Sequence, residues 1–353
     1  MKKKKILALL LVVQIIVVNL LALVPGFVEK WYSNGLFTYL SKGSRILLGR
    51  IGFSVGDILY FTAIFFCIRW LWIKRKTWRR QYKANFLTIA ATLSVVYFLF
   101  NFLWAINYRR VQLHEKMGMD KEYALEELVA FTKRLIVKTN AIHSQIQQND
   151  SLKAVNPYTV DEIYLKAVNG YNNLEKQYPY FAFKHESIKS SLMSTPLSYM
   201  GFGGYLNPFT NEAQVNCNLP KYNLPTTTCH EMSHQIGYAS ESEANFIGYM
   251  ASVYNDDLYF KYSGYSFALR YCMNNIAKKD EKLAKSLVTL INKGVIANFK
   301  ETEKFNEEYD SFIEDIFKYV YDNFLKMNQQ KDGLKTYSKF VGLLVNYYKD
   351  KEL

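Results

Sequence analysis

The chain has 353 residues, 50% of them apolar and 16% aromatic, with a formal net charge of +13. That charge is uneven: residues 1–110 hold 17 of the 44 Lys and Arg but only Glu29 and Asp57 as acids, whereas 27 basic and 29 acidic residues leave 111–353 at −2. Basic residues that gather beside apolar runs, and not on the polar part, exclude a nucleic-acid footprint and make the positive balance a property of a membrane segment.

Residues 6–24 form an apolar run with Gln14 and Asn19 as its only strongly polar members, preceded by Lys2 to Lys5. Its length suits the hydrocarbon core. It exceeds the apolar region of a signal peptide and lacks a small-x-small site, so an uncleaved anchor is expected. Residues 53–73 make a second span, with Asp57 and Arg69 near its ends, where both can snorkel to the interface. Residues 86–106 carry no formal charge and make a third. Lys74, Arg75, Lys76, Arg79, Arg80 and Lys83 crowd the loop between the second and third spans. With Lys2 to Lys5 they put the N-terminus and that loop in the cytoplasm and everything after about Asn107 outside. The first loop, with Lys30, Lys42, Arg45 and Arg50, is less densely basic but does not favour this orientation. The expected organisation is a three-helix anchor over 1–110, with the lipid bilayer as its partner, and an extracytoplasmic domain over 111–353.

In that domain Leu125, Leu128, Val129, Phe131, Leu135 and Ile142 recur at helical spacing. A second helix is expected from Val160 to about Tyr178, where Pro179 ends it. The two read as a scaffold hairpin beside the membrane, joined through the polar run at 147–151. Seven Gly and Pro between 195 and 225 predict loop and short strand, and Glu212 to Asn216 alternates as an edge strand would. Cys67 falls in a span, which leaves Cys217, Cys229 and Cys272 outside. Free thiols are expected, with a Cys217–Cys229 pair as the alternative.

Positions 230–234 read His-Glu-Met-Ser-His. Residues four apart share a helix face, so His230 and His234 can reach one Zn²⁺ while Glu231 sits beside a metal-bound water and takes its proton. A catalytic zinc needs a third protein ligand and an open position. Gly237 offers a left-handed helix stop, after which a second helix from near Ser240 can return a carboxylate to the metal. Glu241 and Glu243 are about 200° apart on that helix, so only one can face the ion. Glu241 is preferred because Asn245 shares its face and can hydrogen-bond a zinc-bound histidine. Glu243 is the alternative third ligand, and both acids also suit a helix start on electrostatic grounds alone. Tyr262, Tyr265 and Arg270 are candidate stabilisers of a transition-state oxyanion, against the competing reading that they only pack. His114, His143 and His185 have no companion at ligand spacing and read as surface or capped residues.

The His-Glu-x-x-His helix followed by Glu-x-x-Ala-Asn resembles the zincin metallopeptidases of the gluzincin type. LWAINYRR (103–110), SYMGFGGYLNPFTNEAQVN (198–216), LPTTTCHEMSHQIGYASESEANFIGYMASVYNDDLYFKYSGY (224–265) and NFLKMNQQKDGLKTYSKFVGLLVNYY (323–348) resemble the bacterial family catalogued as domain of unknown function 3810. The resemblance implies a mainly α chain: three transmembrane helices followed by a zincin-like α+β domain with a small sheet and a zinc-binding helix. It implies one zinc ion per chain held by His230, His234 and Glu241, Glu231 as general base and proton shuttle, and a peptide substrate aligned antiparallel to an edge strand, a role open to Glu212 to Asn216. The short step from His234 to Glu241, and Asn245 where Asp is commoner, depart from the gluzincin pattern. The implied function is a metallopeptidase of the bacterial cell membrane that hydrolyses peptide bonds of envelope or extracellular proteins. A zinc amidase acting on cell-wall peptides and a non-catalytic zincin-fold sensor or binding protein are the alternatives, and a transport accessory finds little support in spans with few charges.

Overall fold

The computed structural model describes residues 2–328 and 337–353, with the backbone alone at 337 and 338. Residues 329–336 of the C-terminal stretch quoted above lie outside the described residues. The chain is mainly helical with one small sheet. In order, the helices of the N-terminal part are α1 (Lys2–Leu21), α2 (Pro25–Phe27), a π-helical stretch Val28–Leu36, α3 (Phe37–Leu48), α4 (Val55–Lys74) and α5 (Tyr82–Leu103). The remainder comprises α6 (Leu113–Lys116), α7 (Leu125–Ile146), α8 (Val160–Gln177), α9 (Ser194–Tyr199), α10 (Leu224–Gln235), α11 (Glu241–Val253), α12 (Leu258–Lys279), α13 (Glu281–Val288), α14 (Lys293–Glu308), α15 (Phe312–Met327) and α16 (Tyr337–Tyr347).

Among the described residues three helices, α1, α4 and α5, are long and apolar enough to cross a membrane. α1 packs along α5, where its few polar groups find partners. Gln14 Nε2 lies 3.4 Å from Ser94 Oγ, and Asn19 returns its amide to the Ile15 carbonyl at 2.8 Å. The residues between α1 and α4 fold onto the polar body instead of looping free. Ser41 Oγ donates to the Gln235 carbonyl at 2.6 Å, Tyr32 OH donates to the Phe102 carbonyl at 2.9 Å, and Lys189 Nζ reaches the Gly49 carbonyl at 3.1 Å.

Asp57, expected to snorkel, does the opposite. It is fully buried and accepts from Leu192 N at 2.7 Å, Ser191 Oγ at 3.0 Å and Tyr205 OH. The Glu212 carboxylate accepts from Val55 N at 3.2 Å and Gly56 N at 2.5 Å, where the free N–H groups at the start of α4 favour an anion. Two carboxylates therefore lock the first turn of α4 to the sheet region, and lipid-facing periodicity carries no trace of such a tie.

Helices α7 and α8 form where the periodicity predicts. α8 begins with a reciprocal cap, in which Thr159 Oγ1 accepts from Glu162 N at 3.3 Å and the Glu162 carboxylate accepts from Thr159 N at 2.7 Å. The expected hairpin is not formed. α7 packs on α12, and α8 lies against α10 and α11. A 3₁₀ turn at Pro179–Phe181 follows α8. The core runs through Tyr171, Phe246, Tyr249, Phe260 and Leu344, each essentially buried. Each such side chain contributes about 1.5–3 kcal/mol of burial.

The sheet has the order β1-β3-β2, with β1 Ile188–Ser190, β2 Gly204–Leu206 and β3 Ala213–Val215. β1 runs parallel to β3 with Ile188 beside Ala213, and β2 runs antiparallel with Gly204 beside Val215. The segment expected as an edge strand is thus the central one. Its polar–apolar alternation misleads because Ala213, Gln214 and Val215 are all buried, and the Gln214 amide reaches Glu212 at 3.4 Å instead of facing water. β2 is the edge. All four cysteines are free, so Cys217 and Cys229 do not pair.

Candidate metal centre

His230 and His234 lie one turn apart on α10, and their Nε2 atoms face each other at 3.2 Å. His234 Nδ1 sits 2.7 Å from the Tyr238 carbonyl. A carbonyl only accepts, so Nδ1 carries the proton and Nε2 of the neutral ring presents a lone pair. Burial pushes His234 down to about 4, which keeps it neutral. That carbonyl is aimed by Gly237, whose φ of +90° ends α10 in the left-handed region. A Cβ at Gly237 would also meet the Phe37 ring at 3.0 Å.

α11 begins at Glu241, after Ser240 in an extended conformation, and runs back beside α10. Gly248 permits the approach, since a Cβ there would lie 2.8 Å from the His230 backbone. The Glu241 carboxylate lies 3.4 Å from His230 Nε2 and 3.8 Å from His234 Nε2. Tyr321 OH donates to it at 2.5 Å. Asn245, one turn on, hydrogen-bonds His230 through its side chain. Burial alone would raise the Glu241 carboxyl, but the His230 hydrogen bond, the electrostatics of the two facing imidazole rings and the Tyr321 hydroxyl hold it at about 2. The Tyr321 phenol is pushed well above its ordinary value by burial and the Glu241 charge, so it remains a donor.

Tetrahedral zinc with ligand bonds of about 2.0–2.1 Å sets neighbouring donor atoms roughly 3.3–3.4 Å apart. The observed 3.2 Å and 3.4 Å match that spacing, and 3.8 Å is within a small side-chain adjustment. Two imidazoles and one carboxylate also form a donor set that leaves one position open. The residues present therefore fit a zinc ion.

Glu231 is 3% exposed and sits against β2. A Cβ at Gly204 would lie 2.6 Å from its Oε1, so only glycine lets the strand pass so close. Its Oε2 is buried without a hydrogen-bond partner among the described residues. Burial raises the carboxyl to about 8, opposed by His230 and reinforced by Glu241.

Glu243 points elsewhere. It accepts from Leu113 N at 2.6 Å and faces Arg110 and Lys116, and burial raises it to about 7. A cavity of about 450 Å³ on that side is lined by residues that include Asn107, Arg110, His114, Ser242 and Glu243, and it does not reach His230 or His234. Tyr262 donates to Asn298 Oδ1 at 2.7 Å and Tyr265 packs edge-on to Tyr249, so neither hydroxyl is directed at the histidines. His143 is a core residue, with Nε2 2.9 Å from the Leu152 carbonyl and Nδ1 3.2 Å from Asn292 Nδ2, whereas His185 is exposed.

The hydroxyl that does reach the cluster, Tyr321, was not singled out by sequence reasoning, because it belongs to a helix 80 residues away with no motif of its own. Trp104 was also missed as a site residue. Its Nε1 lies 3.3 Å from the His234 carbonyl and its ring meets the His234 ring edge-on at 6.1 Å. The LWAINYRR stretch that contains it was the available signal.

A family model described as protein of unknown function (DUF3810) matches residues 32–345. No curated protein and no solved structure matches the chain.

Proposed function

We propose a zinc metallopeptidase function for this chain, which belongs to the DUF3810 family. The observation that carries the reading is the convergence of His230 Nε2, His234 Nε2 and the Glu241 carboxylate at metal-ligand spacing, beside Glu231, whose Oε2 has no hydrogen-bond partner among the described residues. His230, His234 and Glu241 would hold one zinc ion in a zincin-like domain. When bound, zinc supplies Lewis acidity and lowers the pKa of a water towards about 7. Glu231 then takes a proton from the attacking water and returns it to the leaving amine. A bound zinc ion would place positive charge beside Glu231 and favour the ionised form that this role needs. Asn245 and the Tyr238 carbonyl fix the two imidazoles, and Tyr321 orients the Glu241 carboxylate.

The substrate is a polypeptide. The ladder pairs Gly203 with Asn216 and Asn207 with Glu212, so the N–H and C=O of Gly204 and Leu206 turn to the outer edge of β2. An extended peptide can add there by backbone hydrogen bonds, next to Glu231, in place of the 212–216 segment expected for that role. The helices α1, α4 and α5 act as the anchor. The basic loop at 74–83 is cytoplasmic with the N-terminus, and the site lies outside the bacterial cell membrane, facing envelope or extracellular proteins.

The test uses the full chain in nanodiscs: zinc content, then cleavage of a peptide library and of cell-wall fragments. One zinc per chain and peptide cleavage abolished by Glu231→Gln with metal kept is the expected result. Cleavage of wall fragments alone would assign an amidase, and zinc without turnover would assign a sensor. Absence of zinc from the wild-type chain would sink the reading.

A further inference from the structure

α15 is amphipathic, and its apolar side faces outward. Ile313, Ile316, Phe317, Val320 and Met327 recur at helical spacing along one stripe, with Ile316, Val320 and Met327 54%, 55% and 78% exposed. The charged residues lie on another flank, where Lys318 pairs with Glu314 at 2.6 Å and Lys326 with Asp322 at 2.5 Å. A third side faces the body through Tyr321 on Glu241 and the buried Leu325. A contiguous exposed apolar stripe of this kind marks an interaction surface.

What covers it follows from its neighbour. Phe324, at the margin of the stripe, packs on Phe100 with ring centroids 6.0 Å apart and on Tyr108 at 6.2 Å. Phe100 lies in the last turn of α5, one of the helices long and apolar enough to cross a membrane. Trp104, which follows α5 directly, packs on both Phe100 and His234. The stripe, the end of α5 and the metal cluster are thus linked through single ring contacts. We propose that α15 docks on the bilayer surface, its apolar stripe in the headgroup and acyl boundary beside α5, and so holds the metal cluster at the membrane interface. A helix with one apolar and one charged flank lies in the plane of the interface. The lipid that must surround α5 is continuous with the stripe, whereas a second copy of the chain would have to displace it.

The proposal is tested on the full chain in phosphatidylcholine–phosphatidylglycerol nanodiscs at one copy per disc, with Cys67 and Cys217 replaced by Ser. Spin labels at Ile316→Cys, Val320→Cys and Met327→Cys are compared with one at Asp315→Cys on the charged flank. Collision with lipid-soluble oxygen should exceed collision with a water-soluble nickel chelate by severalfold at the three stripe positions, and the ratio should invert at 315. Equal chelate access at all four positions would overturn the proposal. So would protection of the stripe from both reagents, which would mean that protein covers it. The readout needs no zinc and no turnover, so its failure is distinct from failure of the peptidase reading.

Discussion

The first turn of α11 carries two carboxylates, two residues apart, Glu243 buried and Glu241 half-buried, in opposite surroundings. Glu241 faces two imidazoles and a phenol that favour its ionised form, and it is held at about 2. Glu243 faces the other way, into a network in which Arg110 Nε meets Glu29 at 2.8 Å and Lys116 Nζ meets Glu29 at 2.7 Å, and burial leaves it at about 7. One side of the turn therefore gathers lone pairs and negative charge that a cation would satisfy. The other is already neutralised by the protein's own cations and ties the Val28–Leu36 stretch to residues that follow α5. Desolvation raises both carboxyls; the partners decide what each can do.

The comparison breaks most sharply in metal binding. On the proposed zinc reading, Glu241→Ala should lower zinc affinity by more than about 100-fold, as expected for loss of a ligand, while Glu243→Ala keeps zinc at wild-type stoichiometry; metal titration by competition with a chelator distinguishes them. Retention of zinc in Glu241→Ala together with its loss in Glu243→Ala would invert the assignment. Glu231→Gln should lower kcat/KM by about 10²–10⁴-fold with metal unchanged, read from cleavage of a library-derived peptide.

On the structural side, Arg110→Met leaves the half-buried Glu29 with only Lys116 and Asn34 and should cost about 3 kcal/mol in chemical denaturation of the detergent-solubilised chain, with zinc affinity of the folded fraction unaffected. Tyr321→Phe removes the hydroxyl from Glu241 and should weaken zinc binding by about 10-fold, the smaller effect expected of a group one step from the ligand. The smallest effect is in pH. Glu29 is desolvated, but Arg110 and Lys116 more than offset that and hold it at about 2. Its folded value lies below its unfolded one, so its contribution is complete above about pH 4.5 and is lost as pH falls towards 2. Glu29→Gln should flatten that acid limb of the stability profile; an unchanged limb would mean that other carboxylates carry it.

Local rules made much of the chain legible. The three long apolar runs appear as helices shifted by one to four residues, α7 and α8 follow their periodicity, and Gly237 and Ser240 separate α10 from α11 where a left-handed stop and a helix start were expected. Reading failed where a partner distant in sequence decided the outcome. Asp57 is held by the loop after β1, the 212–216 strand is central because β1 and β2 both pair with it, and α7 and α8 each pack on later helices in place of each other.

By itself, then, the sequence determined that His230 and His234 share a helix face and that Glu241 and Glu243 cannot both join them, since 3.6 residues per turn is a property of the backbone. It could rank the two acids but not aim them. Tertiary structure decided that aim, by laying α11 against α10 through Gly248, and it alone brought Gly204 against Glu231, Trp104 against His234 and Tyr321 onto Glu241. The reason is physical: helix period and caps act over a few residues, whereas a coordination shell is closed by side chains from segments that meet only when the core packs.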